Sequence, residues 1–518
     1  MHSAPGAGVF FDRGNFFMRG IKRVLIASTL LTLAACGGGG GGGDNTPPAP
    51  PAQNGAPSVN AGADATATLP NATVSLSGTA TDDGPASSLT YQWTANPATG
   101  VTFSADKAAA TNVSFTTAGS YTLTLAVSDG TLTGQDSVAV TVNGASSGAA
   151  VYPADDDDTD PTGFHGWAKV DAAAVGMDQQ KLNDAVGVAQ AVPTGVNAGS
   201  GMIVRHGQLV HSWGDIDQRL EMKSVTKSMG GLVFGLAFDA KKIALTSKAV
   251  DYMPTFGTPP TTNAARAQLI TIAQLATHTS GFEKEDKQVN GETASVITFD
   301  PGTTWAYSDA GLNWLADVLT TVLQEDLSTV AQREVWAKIG LNPGGADDVV
   351  WRANLQRPAT RPGSTLQYRE LASGLLANTN AMARVGLLLL RKGKWKDQQI
   401  LSEEFVSRVQ TPLPENASLP VEPDRPDHLF PNAQSDYGVL WWTNKSHTMA
   451  NLPTDTFWAW GLGEELIVVI PSLDLVIVRN GGQSSTVTSG RTWNDSDWDG
   501  DVRVLEPFLN PIVAGTTP

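Results

Sequence analysis

The chain has 518 residues, of which 41% are hydrophobic, with a formal net charge of −17 and one cysteine. This length predicts two or three domains, and the apolar fraction is sufficient for a large core. The single cysteine excludes a disulfide framework and a cysteine-based metal site. The negative net charge disfavours binding to nucleic acid or to acidic membrane surfaces through bulk electrostatics, so nucleic acid is not an expected partner.

Residues 1–36 have the pattern of an export signal. Three basic residues between positions 19 and 23 precede the apolar stretch VLIASTLLTLAA, which is too short to span a membrane as a mature helix. The LAAC segment ending at Cys36 resembles the lipobox of bacterial lipoproteins, whose cysteine is lipidated after cleavage. The alternative is an ordinary signal peptide with an incidental cysteine. We expect a lipoprotein signal peptide and an exported protein, anchored through Cys36 at the periplasmic side of the outer membrane or at the cell surface.

Residues 37–56 are a Gly/Pro-rich linker, and a β-rich module follows at residues 57–143. Seven glycines and a proline-rich run form the spacer, which can build no core. Short alternating runs separated by turn signals then predict an all-β sandwich. SGTATDDG, LTYQW and AGSYTLTLAVSDG resemble PKD-type immunoglobulin-like domains of bacterial surface proteins, with Trp93 expected in the core. The resemblance implies a spacer, or a module that contacts glycan or cell wall.

Aspartates recur in and after this module. Asp82, Asp83 and Asp129 fit turn positions, with calcium binding as the less favoured alternative. Residues 144–165 form an acidic linker that contains the run Asp155 to Asp158. A run of like charges is typical of a solvated, disordered segment, so we expect no metal there.

The segment EMKSVTKSMGGLVFGLAF places Ser224 and Lys227 three residues apart at the start of an apolar run. On a helix the hydroxyl and the ammonium then share one face, as a nucleophile and its activator require. Spacing alone is weak, because Ser104 and Lys107 repeat it in a β-like segment, where such positions face opposite sides. The non-catalytic alternative is a helix-capping serine followed by a solvated lysine. A hairpin-like MIVRHGQLVHSWG before Ser224 favours the catalytic interpretation.

Later motifs resemble those of the serine β-lactamase-like family. They are ITIAQLATHTSGF, FDPGTTWAYSDAGLNWLADVL, ASGLLANTNAMARVGLLLLRKGKW and LIVVIPSLDLVIVRNGG. That family includes class C β-lactamases, family VIII carboxylesterases, D-alanyl-D-alanine carboxypeptidases and 6-aminohexanoate-dimer hydrolases. The resemblance implies that residues 166–518 form a serine hydrolase domain of mixed α/β (α+β) class, with an antiparallel sheet flanked by helices.

The same resemblance implies the chemistry. Tyr307 matches the family's general-base tyrosine because it follows a Pro-Gly turn and a tryptophan and precedes a serine. The alternative is an ordinary core or rim tyrosine. Ser224, activated by Lys227 and Tyr307, would form an acyl-enzyme that water hydrolyses. The backbone N–H of Ser224, at a helix N-terminus, would stabilise the oxyanion together with a second N–H from an edge strand.

Two departures from the family pattern bear on the substrate. In the segment FWAWGLGEELIVV, where the family often has a Lys-Thr-Gly strand, no lysine or histidine is present. Gly461, Leu462 and Gly463 are candidates for the oxyanion strand, and Trp460 is a candidate pocket residue. Asp309 stands where the family often has asparagine, and a carboxylate accepts but cannot donate hydrogen bonds. Its charge should keep Lys227 positive and leave proton transfer to Tyr307.

The tryptophans around the predicted site have two interpretations. They either line an apolar acyl pocket or belong to the core of a large domain. The five are Trp305, Trp441, Trp442, Trp458 and Trp460.

DSDWDGDVRVLE near the C-terminus fits a calcium-loop pattern. The candidate ligands are Asp495, Asp497, Asp499, Asp501 and Glu506. The alternative is that these acidic residues cap the helix that follows. No cofactor is expected to be required, and a structural calcium is the one candidate ion.

The sequence therefore predicts a carboxylesterase or amide hydrolase that acts on a small or oligomeric substrate. One alternative is a true β-lactamase or D-alanyl-D-alanine carboxypeptidase. The other is a catalytically inert surface-binding protein whose sandwich is the functional part.

Overall fold

The computed structural model describes residues 54–68, 72–84, 89–115, 119–143, 150–156, 163–191, 198–257, 263–286, 295–341, 348–353, 365–422, 432–481 and 502–517. Two predicted features lie outside these residues: the lipidation site Cys36, and the calcium candidates Asp495, Asp497, Asp499 and Asp501. Glu506 is described and begins the last helix. Among the described helices, none combines the length and the apolar character needed to cross a membrane.

The N-terminal module is all β. Its strands are Ser58–Asn60 (β1), Ala65–Thr68 (β2), Thr73–Ser77 (β3), Thr79–Thr81 (β4), Thr90–Asn96 (β5), Val101–Phe103 (β6), Ala110–Phe115 (β7), Gly119–Ser128 (β8) and Thr133–Asn143 (β9). One sheet has the order β2-β9-β8-β5, a second has β3-β7-β6, and β1 pairs with β4. Apolar residues alternate along β3, β7 and β8, and the inward set forms a single core.

Two sequence predictions for this module can be checked. Trp93 is buried in the core as predicted, and its indole N–H donates to the Ala108 carbonyl at 3.1 Å. Asp129 is a turn residue, because its Oδ1 accepts from the backbone N–H groups of Thr131 and Leu132 at 2.6 and 2.7 Å. These bonds lower the pKa of Asp129, the bond from Leu132 most.

A six-stranded antiparallel sheet organises the C-terminal domain, in the order β11-β10-β20-β19-β18-β17. A small sheet β12-β14-β13 and a hairpin β15-β16 accompany it. The strands are Ser200–Arg205 (β10), Gln208–Trp213 (β11), Leu220–Glu221 (β12), Val349–Trp351 (β13), Leu375–Ala377 (β14), Lys394–Trp395 (β15), Gln398–Gln399 (β16), Trp442–Thr443 (β17), Phe457–Gly461 (β18), Glu465–Ile470 (β19) and Leu475–Asn480 (β20).

Helices cover both faces of this sheet. They are Gln179–Ala189 (α1), Val225–Asp239 (α2), Ala249–Tyr252 (α3), Ala264–Ala267 (α4), Ile272–Ala276 (α5), Asp309–Leu323 (α6), Leu327–Ala331 (α7), Thr379–Leu390 (α8), Glu403–Gln410 (α9), Ala433–Asp436 (α10) and Glu506–Ala514 (α11). Single turns of 3₁₀ helix occur at Ala172–Val175, Ala337–Ile339, Pro414–Asn416, Pro471–Leu473 and Val502–Leu505, and a π-helical turn at Gln332–Trp336.

The continuous apolar runs of β19 and β20 follow from burial on two sides. Ile467 and Val476 belong to the core that contains α2, α6 and α8, whereas Leu466 and Ile477 belong to the core that contains α1 and α11. Because successive strand residues point to opposite faces, a strand between two helical layers is apolar at most positions. The polar residues Glu465, Arg479 and Asn480 occur at the ends of these two strands. The predicted mixed fold, with helices on an antiparallel sheet, is confirmed.

The described part of the acidic linker differs from the prediction of a solvated segment. Asp156 is buried, where its carboxylate accepts from the Asn380 amide at 2.6 Å and bonds the His165 ring at 2.9 Å. Arg384, also buried, donates to the carbonyls of Ala154 and His165. The prediction was wrong for Asp156 because a charge run in sequence does not reveal a buried arginine more than two hundred residues away.

Candidate active site

The start of α2 brings Ser224 and Lys227 into contact. Ser224 is the N-cap residue, but within the described part of the chain its side chain makes no capping hydrogen bond. Instead, Lys227 Nζ donates to Ser224 Oγ at 2.9 Å and to the Ala372 carbonyl at 2.8 Å. Lys227 is only 1% exposed. The alternative of a capping serine followed by a solvated lysine is therefore wrong for both residues.

Tyr307 lies in a tightly bonded turn that leads into α6. Ser308, the N-cap of α6, accepts from the Gly311 N–H at 2.9 Å and donates from its hydroxyl to the Glu283 carbonyl at 2.7 Å. Ser308 also donates its backbone N–H to His278 Nδ1 at 3.0 Å. These three bonds fix the backbone on the C-terminal side of Tyr307, so its ring position is determined by the fold.

Tyr307 reaches the Ser–Lys pair from this turn. Its ring centroid lies 4.9 Å from Lys227 Nζ, and its side chain hydrogen-bonds Ser224. Burial, reinforced by the charge of Asp309, raises the pKa of Tyr307 well above its usual value of 10, although the bond with Ser224 opposes the rise. Tyr307 is therefore a protonated phenol at neutral pH.

Asp309 contacts the same lysine. Its Oδ1 lies 2.6 Å from Lys227 Nζ, as an ion pair whose geometry is not that of an aligned hydrogen bond. The lysine side chain is buried, whereas that of Asp309 is about one quarter exposed. The carboxylate supplies the counter-charge that a buried ammonium needs.

His278 is a site residue whose role the sequence did not reveal. Its ring stacks on Tyr307 with centroids 4.4 Å apart and contacts the Tyr437 ring at 4.8 Å. Burial, and secondarily the charge of Lys227, lowers the pKa of His278 well below 6.5, so the ring is neutral. Because Nδ1 accepts the Ser308 N–H, the proton lies on Nε2, which has no hydrogen-bond partner among the described residues. The only sequence signal was its place in the motif ATHTSG.

The predicted oxyanion strand ends beside Ser224. β17 pairs only with the first two residues of β18, so the end of β18 extends past this short edge strand. A methyl group on Gly461 would lie 3.2 Å from the Ser224 backbone nitrogen. Leu462 is partly exposed, and Gly463 turns the chain with φ +87° while its carbonyl accepts from Arg479. The predicted segment is therefore adjacent to the nucleophile.

The tryptophans near the site belong to the core. Trp460 is buried, and its indole N–H donates to Glu464 at 2.8 Å. The other four candidates are buried as well: Trp305, Trp441, Trp442 and Trp458. The prediction that Trp460 is a pocket residue is therefore not supported, because its ring presents almost no free surface. Trp442 contributes to the site indirectly, stacking near Tyr307 with an interplanar angle of 11°.

A half-buried serine in contact with a buried lysine and a buried tyrosine, at a helix N-terminus on an antiparallel sheet between helices, is the arrangement of the serine hydrolases with a β-lactamase fold. The family sequence model described as Beta-lactamase matches residues 182–482. The chain therefore belongs to the β-lactamase family, and the resemblance drawn from its motifs is confirmed. The sandwich matches the model described as K319L-like, PKD domain, at residues 61–142.

Individual relatives are distant. A curated Escherichia coli K12 protein named "Putative D-alanyl-D-alanine carboxypeptidase" is 20% identical over 387 residues, which cover 62% of this chain and 78% of that protein. The solved "Putative 6-aminohexanoate-dimer hydrolase from Bacillus anthracis" is 15% identical, with a TM-score of 0.50, over 70% of this chain and 90% of that one. A family VIII carboxylesterase structure is 17% identical, with a TM-score of 0.44, over 64% and 97%. The likeness to the Bacillus anthracis structure supports the shared fold, and identities this low leave the substrate open.

Proposed function

We propose that this protein is an exported serine hydrolase that cleaves ester or amide bonds through an acyl-enzyme on Ser224. The observation that carries the proposal is the pair of contacts to the Ser224 hydroxyl, from Lys227 Nζ at 2.9 Å and from Tyr307. A serine hydroxyl becomes an effective nucleophile only when a positioned base removes its proton.

The ion pair suggests where that base comes from. Lys227 and Asp309 together carry no net charge. Once the two groups align as a hydrogen bond, transfer of one proton from Lys227 to Asp309 leaves a neutral amine beside the Ser224 hydroxyl. The amine then takes the serine proton as the Ser224 Oγ–carbon bond forms. The backbone N–H of Ser224 and an N–H at the end of β18 stabilise the oxyanion.

Tyr307 acts as the proton donor to the leaving group in this scheme. Its raised pKa favours a protonated phenol, which suits donation better than the resting-base role implied by family resemblance. The ammonium of Lys227 restores the phenol proton after the leaving group departs. In the second half-reaction water attacks the acyl carbon and gives its proton to the neutral Lys227, the acyl–Oγ bond breaks, and Ser224 regains a proton from Lys227. Asp309 then returns its proton to Lys227, so protons balance over one cycle.

The expected substrates are esters or amides of small or oligomeric molecules. Asp309 offers an acceptor where an asparagine would donate to a substrate carbonyl, and no lysine or histidine occurs in Phe457–Val469. Both features disfavour a pocket adapted to β-lactams.

The decisive experiment compares wild type with Ser224→Ala on 4-nitrophenyl esters, aryl amides, D-alanyl peptides and nitrocefin. We expect ester or amide turnover that depends on Ser224, and rapid labelling of Ser224 by a fluorophosphonate. Faster turnover of nitrocefin than of esters, with stable penicillin acylation, would support the β-lactamase or carboxypeptidase alternative. Absence of labelling would support the inert surface-binding alternative.

Export and anchoring remain part of the proposal. Lipid attachment at Cys36 would hold the enzyme at the periplasmic side of the outer membrane or at the cell surface, with the PKD module as spacer or as a contact to glycan or cell wall. Membrane fractionation of wild type and Cys36→Ala tests this point. Elemental analysis of wild type and Asp497→Ala tests the structural calcium.

A further inference from the structure

A second charged cluster lies immediately before the nucleophile. Lys223 Nζ contacts Glu221 Oε2, and Arg352 Nη1 lies 2.6 Å from Glu221 Oε1. The side chains of Lys223, Arg352 and Glu221 are 31%, 42% and 28% exposed, so all three are accessible to a ligand. Two cations share one carboxylate, which leaves one uncompensated positive charge beside Ser224.

The local fold holds this cluster in place. Glu221 ends β12, and Arg352 follows β13, and both strands pair with β14 in the small sheet. Lys223 connects β12 to α2 in the left-handed region, with φ +45°, which non-glycine residues adopt at a cost. The turn that presents Ser224 therefore also fixes the backbone of Lys223.

On the neighbouring strand β19, the carboxyl group of Glu465 is close enough to act on the charge of Lys223. Burial raises the pKa of Glu465 well above its usual value, although the charges of Arg479 and Lys223 oppose the rise. Burial therefore favours the uncharged form of Glu465. A methyl group on Gly461 would lie 3.1 Å from Glu465 Cβ and 3.2 Å from the Ser224 nitrogen, so this strand and the nucleophile are close neighbours.

The charged groups around Ser224 thus form two clusters with different roles. Lys227 and Asp309 neutralise each other next to Tyr307, which must reach the leaving group. The cluster of Lys223 and Arg352 carries the net charge and is left for the other half of the substrate. We propose that Lys223 and Arg352 form a subsite for a carboxylate on the acyl part of the substrate. This subsite rests on the proposed acyl-enzyme chemistry.

The test uses two esters that differ only in a terminal carboxylate, mono-4-nitrophenyl adipate and 4-nitrophenyl hexanoate. We expect wild type to favour the adipate in kcat/KM, chiefly through KM, and high salt to weaken this preference. Lys223→Gln and Arg352→Gln should each reduce the preference by about twofold to fivefold, the size expected for one partly exposed charge pair. Lys241→Gln, which removes an exposed lysine just beyond the other end of α2, should retain it.

If wild type and both variants show the same ratio of kcat/KM for the adipate and the hexanoate esters, the proposed subsite is refuted. If Lys223→Gln does not fold, Arg352→Gln and the salt dependence decide the question, because Arg352 lies outside the turn that carries Ser224. The two proposals fail differently. Hydrolysis that persists in Ser224→Ala refutes the proposed function, whereas Ser224-dependent hydrolysis without preference for the adipate refutes only the subsite.

Discussion

Replacing Gly461 with alanine tests whether the end of β18 and the backbone of Ser224 enclose the oxyanion. The new Cβ would lie 2.6 Å from the Met222 carbonyl oxygen, 3.1 Å from Glu465 Cβ and 3.2 Å from the Ser224 nitrogen. Ordinary contact begins at 3.4 Å, so the strand and the turn before α2 must separate by about 0.8 Å, the difference between 3.4 and 2.6 Å. The neighbours are mostly backbone atoms, which cannot move aside as a flexible side chain would.

A displacement of this size exceeds what an oxyanion site tolerates. Donors have to lie about 2.7–3.1 Å from the developing charge, and loss of one donor lowers kcat by about 10² to 10³. Overpacking should also lower the free energy of unfolding by roughly 1–3 kcal/mol. We therefore expect Gly461→Ala to fold, to melt at a lower temperature and to lose at least about a hundredfold in kcat for a 4-nitrophenyl ester.

Gly187→Ala is the matched control. Gly187 lies within α1, and a methyl group there would meet no atom within 4 Å. This variant should retain wild-type kcat and gain about 0.5–1 kcal/mol of stability, because alanine favours a helix over glycine. A folded Gly461→Ala enzyme with near-wild-type kcat would refute the placement of the oxyanion site.

Three further changes address charge. Asp309→Asn should increase acylation by a penicillin probe, because the amide adds a hydrogen-bond donor, and unchanged or weaker labelling would contradict this expectation. The same variant should lower ester turnover, because it removes the proton acceptor of Lys227. Tyr307→Phe should lower kcat by about 10² to 10⁴. The wild-type rate should stay level from about pH 7 to pH 9, because burial raises the pKa of the Tyr307 phenol. A steady increase of the rate over that range would indicate a tyrosinate base. The hydrogen bond with Asp156 raises the pKa of His165 from 6.5 to about 9. The contribution of this bond to the stability of the folded protein is therefore complete below about pH 6.5 and is lost as the pH rises through 9. After allowance for solvent screening at this partly buried site, the contribution to the free energy of unfolding is roughly 1–2 kcal/mol. The melting temperature of His165→Gln should therefore be lower than that of wild type at low pH, and the two should converge above about pH 9.

Local patterns were sufficient to predict the elements that carry the nucleophile and the sheet. MIVRHGQLV forms β10 and β11 because apolar residues flank a His-Gly turn, and both turn residues adopt positive φ. The segment that forms β19 and β20 was recognised through its resemblance to the family, and a 3₁₀ turn at Pro471–Leu473 separates the two strands. The three-residue spacing of Ser224 and Lys227 fixed their shared helical face.

Local sequence patterns could not predict the long-range contacts. No sequence pattern shows that the Ala372 carbonyl accepts from Lys227, or that Arg352 shares a carboxylate with Lys223. Each contact joins residues more than a hundred positions apart, and it exists only because the small sheet packs beside α2. The sequence left two interpretations of the tryptophans open for a related reason, since composition cannot distinguish a ring that lines a cavity from one that fills a core.

The contact between Lys227 and Asp309 changes how the site should be understood. A buried ammonium alone would be costly, and a lysine that must also accept a proton has to become neutral at some stage of the cycle. In the proposed mechanism, a carboxylate at 2.6 Å meets both requirements, because it stabilises the ammonium at rest and holds the proton when serine needs a base. An asparagine at this position would offer a substrate donor but could not hold a proton. The aspartate is therefore better suited to holding a proton than to recognising a substrate carbonyl, which is left to other groups around Ser224.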